Sequence, residues 1–148
     1  MAALEDEPIA ADAPELAAAL LAAGLPVDDL LEDGPLFYRF ARNGEPVAYG
    51  GLELHGEHAL IRSLVVLPDH RGNGIGRATT DRLLRHALEA GARHAFLLTN
   101  SAASFFEASG FKRIERAAAP TTLLATRQAK SICTSATLLS RPIAGPDA

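Results

Sequence analysis

The stretch of this chain best equipped for chemistry is Asp69-His70-Arg71-Gly72-Asn73-Gly74-Ile75-Gly76, set between an apolar run that ends at Pro68 and a helical pattern that begins near Ile75. Backbone amides at a helix start point outward and carry partial positive charge. Glycines let an anion approach the main chain without meeting a Cβ. A strand, a glycine-rich loop and a helix in that order therefore predict a cradle for a pyrophosphate. From Arg71 to Arg93 five arginines face only Asp81 and Glu89, so a polyanionic ligand is expected near this stretch.

Two other phosphate loops fail on their residues. A P-loop needs Gly-Lys followed by Ser or Thr, and the chain has no such tripeptide. A dinucleotide fingerprint needs G-x-G-x-x-G opening a parallel βαβ unit, whereas Gly72, Gly74 and Gly76 are evenly spaced and follow hairpins. The five histidines show no H-E-x-x-H or clustered spacing, so no metal site is expected. His70 precedes the phosphate loop and could touch a phosphate; the others read as surface residues. The single cysteine, Cys133, excludes an internal disulfide and reads as a small buried hydrophobe.

The elements that must position the loop follow from pattern. Asp12 and Glu15 suggest a capped helix from about Ala13 to Ala23, closed by Gly24, with a short helical piece around Asp28 to Leu31. From Pro35 the pattern turns to strands: Leu36 to Ala41, the Asn43-Gly44 turn, Pro46 to His55, a turn at Gly56-Glu57, then His58 to Leu67. An Asn-Gly pair between β-prone runs is a strong hairpin signal. The run from Ala59 to Leu67 is almost continuously apolar and predicts a central strand covered on both faces. Ile75 to Ala90 reads as an amphipathic helix with Leu83, Leu84, Ala87 and Leu88 on its apolar stripe. His94 to Thr99 is a buried strand, Ser101 to Ser109 a short helix, and a final pair of strands follows Gly110-Phe111. The expectation is one α+β domain over residues 1–148, with Glu7-Pro8-Ile9-Ala10 at most a short, irregular first strand in a partly disordered start (residues 1–10) and a frayed tail over about 140–148. A mixed, mostly antiparallel sheet of about six to seven strands would be flanked by about four helices and contain one crossover unit.

With 148 residues, 48% of them apolar, the chain can bury a core without staples. A formal charge of −4 argues against a general nucleic-acid binder. No apolar run approaches the roughly 20 residues of a membrane span. The acidic start Glu5-Asp6-Glu7 is unlike a secretory signal, so the cytoplasm is the expected compartment.

The segment from Leu64 to Gly76 resembles motif A, Q/R-x-x-G-x-G/A, of the GNAT superfamily of acyl-CoA N-acyltransferases. Phe105-Phe106-Glu107-Ala108-Ser109-Gly110-Phe111 resembles that superfamily's second signature, and the likeness covers about Pro35 to Arg116. Within it, the pieces Gly24-Leu25-Pro26 with Asp29-Leu30, Gly51-Leu52-Glu53, Leu60 to Val66, Leu97-Leu98-Thr99 and Thr126 to Ala136 are similar to the bacterial arsenic-resistance N-acetyltransferases.

The resemblance implies transfer of an acetyl group from acetyl-CoA, with no metal, to the amine of a small molecule. Arsenic- and phosphorus-containing amino acid analogues are the narrowest substrate class it suggests. Leu64, Val65 and Val66 would pair their backbone with the pantetheine arm, and Arg71, Gly72, Asn73, Gly74, Ile75, Gly76 and Arg77 would hold the pyrophosphate. The amide near Val66 would stabilise the oxyanion, a contribution that reaches about 3 kcal/mol per donor. Thr99 and Phe106 stand where the family commonly has Asn and Tyr, so the usual acid is missing and Phe106 is left to pack around the thioester. Glu53 is the candidate base, or else a solvated or ammonium-binding residue. Arg62 could bind a carboxylate, phosphinate or arsenic oxyacid, or form a structural ion pair. Strand alternation would let only one of Arg62 and Ser63 face the substrate easily. Acetylation of a protein or peptide is one alternative, and a non-catalytic acyl-CoA-binding module, motivated by Phe106, is another. An exposed terminal strand would permit a homodimer.

Overall fold

The computed structural model describes residues 3–25, 27, 30–31, 34–121 and 136–143. Asn43 and Gly44 take φ of 54° and 77°, the paired positive values a two-residue hairpin turn demands. They join β2 (Leu36–Arg42) to β3 (Glu45–His55). A second tight turn with Gly56 at positive φ leads into β4 (His58–Val66). A 3₁₀ turn at Pro68–His70 and the glycine loop then open α2 (Ile75–Glu89), which returns the chain to β5 (His94–Thr99). That crossover makes β5 parallel to β4, and every other neighbouring pair is antiparallel. Strand β1 (Glu5–Ile9) lies outside β2, α1 (Pro14–Ala22) follows it, and α3 (Ala103–Ala108), β6 (Lys112–Arg113) and β7 (Thr137–Pro142) complete the described chain. The seven strands run in the order β1-β2-β3-β4-β5-β7-β6, an α+β sheet that matches the expectation.

Strand alternation divides the core. Phe40, Val47, Ala48, Leu52, Ile61 and Leu97 on one face meet Ile75, Leu83, Leu84 and Ala87 of α2. On the opposite face Leu16 and Leu20 of α1 meet Phe37, Tyr49 and Val65. The stripe expected on α2 is present, with Leu88 half-buried at its margin. Among the described residues no helix is long and apolar enough to cross a membrane.

Three α-helices lie within the described residues, in keeping with the expected flanking helices. Several expectations need correction. The first strand is regular and begins earlier than the short, irregular Glu7 to Ala10 piece expected: Glu5 to Ile9 pair with Ala41 to Phe37, although the strand is acidic. Its carboxylates have partners on other elements. Glu7 pairs with Arg39, and Asp6 lies 2.9 Å from His86 Nε2 and 3.9 Å from Arg82 Nη1. At the other end Thr137 to Pro142 pair with Thr99 to His94, so residues 140–142 belong to the sheet. Asp12 does not cap α1; the cap residue is Ala13, no side chain bonds there, and Pro14 begins the helix. Glu15 turns instead to Arg39 and to Tyr49, whose hydroxyl donates to Oε2 at 3.0 Å. Most histidines are likewise not free surface groups: His86 stacks on Tyr38 at 4.3 Å, and His58 meets Phe96 edge-on. The readings for Cys133, for residues 28–29 and for most of the Thr126 to Ala136 stretch fall outside the described residues.

The Glu15 contact has a pH consequence. Burial, then the hydrogen bond to Glu15 and its charge, push the Tyr49 phenol up to about 12, against the opposing pull of Arg39. The native state favours the neutral phenol, so this stabilisation is complete below the ordinary value of 10.0 and is lost as pH rises from there through about 12. In urea melts across that window, the stability of the wild type should fall relative to that of Tyr49→Phe, which has no phenol to ionise.

Candidate active site

Strands β4 and β5 pair only from His58↔His94 to Leu60↔Phe96. Beyond Leu60 they part, and a cavity of about 730 Å³ opens between Leu64 to Val66 on one side and Leu97 to Thr99 on the other. Leu67 donates its amide to Val47 of β3 at 2.9 Å. Because successive strand residues point their amides to opposite edges, the Val66 N–H and C=O face away from β3, into the gap. The Val66 carbonyl accepts a hydrogen bond there from Arg71 Nε at 3.1 Å. Main-chain polar groups of a central strand thus line an opening wide enough for an extended ligand.

The loop supplies the other end of the cavity. Gly72 and Gly74 have φ of 84° and 75°, and a Cβ on either would meet no atom within 4 Å, so their outer surface is open. Gly74 caps α2, and the first intrahelical bond runs from the Ala78 amide to the Gly74 carbonyl. The amides of Ile75, Gly76 and Arg77 therefore have no acceptor within the helix. Gly76 is needed for contact: a Cβ there would lie 3.1 Å from the Phe105 ring and 3.6 Å from Val66. This close approach holds the helix start against both α3 and β4.

Arg71, Gly72, Gly74, Gly76 and Arg77 line the cavity, as do Leu64, Val65, Val66, Thr99 and Phe106. Asn73 is exposed and is not on the cavity wall, and the Ile75 side chain is fully buried, which leaves it only main-chain groups to offer. His70 is also off the wall, 3.7 Å from Glu45. Thr99 Oγ1 accepts the amides of Ser101 and Ala102 at 3.3 and 3.0 Å, so it fixes the turn into α3. Phe106 sits in the core, edge-on to Phe105 and Phe111 at 4.9 and 5.8 Å. Phe105, absent from the sequence expectations, stands half-exposed at the cavity rim beside it. Its signal was the first phenylalanine of the aromatic signature.

The structure changes the reading of Arg62 and Ser63. Ile61, Leu64 and Val66 face the α2 side, whereas Val65 faces the α1 side and the Arg62 guanidinium lies 5.3 Å over the Phe37 ring. Two residues separate Ile61 from Leu64 where alternation allows one. Ser63 is the extra residue of a β-bulge, with φ of 56°, and the β3–β4 register slips at the same place. Strict alternation therefore does not hold at this point of β4, and both Arg62 and Ser63 line the cavity.

The fold and this site, a phosphate-sized amide cradle opening onto a parted pair of parallel strands, define an acyl-CoA-type transferase architecture. A model of the acetyltransferase (GNAT) family matches residues 4–111, and the chain belongs to that family. No curated protein matches the sequence significantly. Among solved structures, N-acetylglutamate synthase from Neisseria gonorrhoeae, complexed with coenzyme A and N-acetyl-glutamate, is 19% identical with a TM-score of 0.81 over 98% of this chain. The chain spans about a third (36%) of that synthase's length. A GNAT-family acetyltransferase from Staphylococcus aureus is 19% identical with a TM-score of 0.73, over 96% of this chain and 100% of that one. Rv2747 from Mycobacterium tuberculosis, in complex with CoA and NLQ, is 20% identical with a TM-score of 0.75, over 96% of this chain and 99% of that one. At such identities the likeness is one of fold.

Glu53, expected as a base, is not on the cavity wall. Its carboxylate lies behind Arg62, 3.1 Å from Nη1 and 3.6 Å from His55 Nε2, and both partners of the ion pair are buried. Loss of either member of a buried ion pair is costly, so Glu53 serves as a counter-ion of Arg62. Glu53→Gln should therefore lower the unfolding free energy in urea by about 1.5 kcal/mol or more, the scale of one hydrogen bond to a charged group. A proton acceptor facing the cavity would instead lose turnover at unchanged stability.

Proposed function

We propose that the protein transfers an acetyl group from acetyl-CoA to the amine of a small molecule. The observation that carries this is the continuity of one cavity from the α2 amides to the parted edge of β4. The residues present fit coenzyme A. Free helix amides, two open glycines and the guanidinium groups of Arg71 and Arg77 suit a diphosphate, and the Leu64 to Val66 edge suits an arm that carries amides of its own. When bound, the cofactor supplies an activated acetyl thioester. The chain's part is to hold the carbonyl beside the Val66 amide, which stabilises developing negative charge, and to exclude water with Leu97, Leu98 and Phe106.

Within this reading the acceptor is an amino acid or an analogue of one that bears an arsenic or phosphorus oxyacid. Support comes from the sequence likeness to the arsenic-resistance branch and from a buried guanidinium, Arg62, in the cavity wall beside apolar Ile61. The Neisseria synthase was solved with an acetylated amino acid, which points the same way.

Titration calorimetry with coenzyme A, followed by thiol release from acetyl-CoA with amino acids, amino acid phosphinates, arsenic analogues and peptides, tests both levels. Saturable binding and turnover of amino-acid-like amines are expected. Turnover of peptides alone would point to a protein acetyltransferase, binding without turnover to a non-catalytic module, and absence of binding would overturn the assignment. Arg77→Ala should weaken coenzyme A by about tenfold, the loss of one charge-assisted contact, and by less at high salt.

A further inference from the structure

We infer that the Ser63 hydroxyl is a further catalytic group, a relay that carries the amine's proton to the departing sulfur; this rests on the acetyl transfer proposed above. Aminolysis of a thioester releases a proton from nitrogen and needs one on sulfur. Phe106 has none to give, and both tyrosines lie off the cavity wall. A relay needs one uncommitted lone pair and one uncommitted proton on the same oxygen. The polar side chains on the cavity wall are Arg62, Ser63, Arg71, Arg77, Thr99 and Ser101. Guanidinium groups cannot accept. Thr99 Oγ1 already accepts two amides, which fill its lone pairs, and Ser101 is exposed at the mouth.

Ser63 meets both conditions. Its Oγ accepts one hydrogen bond, from Arg62 Nε at 3.1 Å, which fixes the hydroxyl and leaves a second lone pair. Among the described residues its proton has no acceptor. The adjacent guanidinium also favours the partial negative charge that builds on the oxygen while protons move. Placement agrees. Ser63 immediately precedes the Leu64 to Val66 edge, and its left-handed φ of 56° is one that serine adopts only when the surroundings impose it.

The step balances within the two substrates and this side chain. The amine nitrogen forms a bond to the thioester carbonyl carbon, and the C–S bond breaks with its electron pair going to sulfur. The nitrogen's surplus proton passes to Ser63 Oγ as the Ser63 proton passes to sulfur, so the serine ends unchanged.

Ser63→Ala removes the hydroxyl, and Ser63→Gly removes it while relaxing the backbone. Both should lower kcat with acetyl-CoA by about a hundredfold, the usual scale of acid–base assistance, with the coenzyme A Kd unchanged. With an acetyl thioester of a thiophenol, whose thiolate leaves without a proton, most of that loss should vanish. Retention of wild-type kcat by both variants, or an equal loss on the two thioesters, would overturn the relay. Wild-type protein that does not bind coenzyme A would overturn acetyl transfer itself and the relay with it.

Discussion

Unpaired main chain in the middle of a sheet is the condition on which the site depends. A buried strand normally has each amide and carbonyl matched by a neighbour, because a polar group left without a partner away from water is costly. Past Leu60 the inner edge of β4 has lost β5, and Arg71 reaches back to answer the Val66 carbonyl. The rest of the architecture makes that gap sustainable. The crossover through α2 keeps β5 parallel and anchored at His58 to Leu60, the Ser63 bulge turns the strand where the two separate, and α3 covers the far side with aromatic rings.

The gap is also why charge is organised as it is. Arg62 lies in an almost dry wall, where an isolated cation would be prohibitively expensive, and Glu53 one strand away offsets part of its charge. By contrast Arg71 and Arg77 are exposed beside the glycines, where they cost little and can follow an anion. Two kinds of arginine therefore serve one cavity: a fixed one at its apolar end and two adaptable ones at its phosphate end.

What could be read from sequence was what local chemistry determines. Asn43-Gly44 demanded a turn, the glycine run before Ile75 demanded a loop into a helix, and the apolar run at Ala59 to Leu67 demanded a covered strand. Elements determined by distant partners were missed or read only in part. The acidic β1 looks unlike a strand until Asp6 meets His86 and Glu7 meets Arg39. Glu15 looks like a capping residue until Tyr49 and Arg39 claim it. The bulge at Ser63 left no mark because neither glycine nor asparagine occupies it. The Glu53–Arg62 pair was open to deduction: counting outward from the Gly56-Glu57 turn sets Glu53 opposite Leu60, which puts Arg62 at the diagonal position on the same face.

The two outer margins of the sheet carry a final implication. Open margins invite foreign strands to dock, and this protein blunts both. On β1 three carboxylates surround a backbone interrupted by Pro8, which has no N–H to offer, and β6 extends for only Lys112 and Arg113. An incoming strand would meet carboxylates and a missing amide at one rim and a two-residue partner at the other. The longest run of main chain open to an extended guest beside the amide-rich loop lies inside the sheet, along β4 past Leu60, so the sheet offers its backbone hydrogen-bonding capacity at an internal slot.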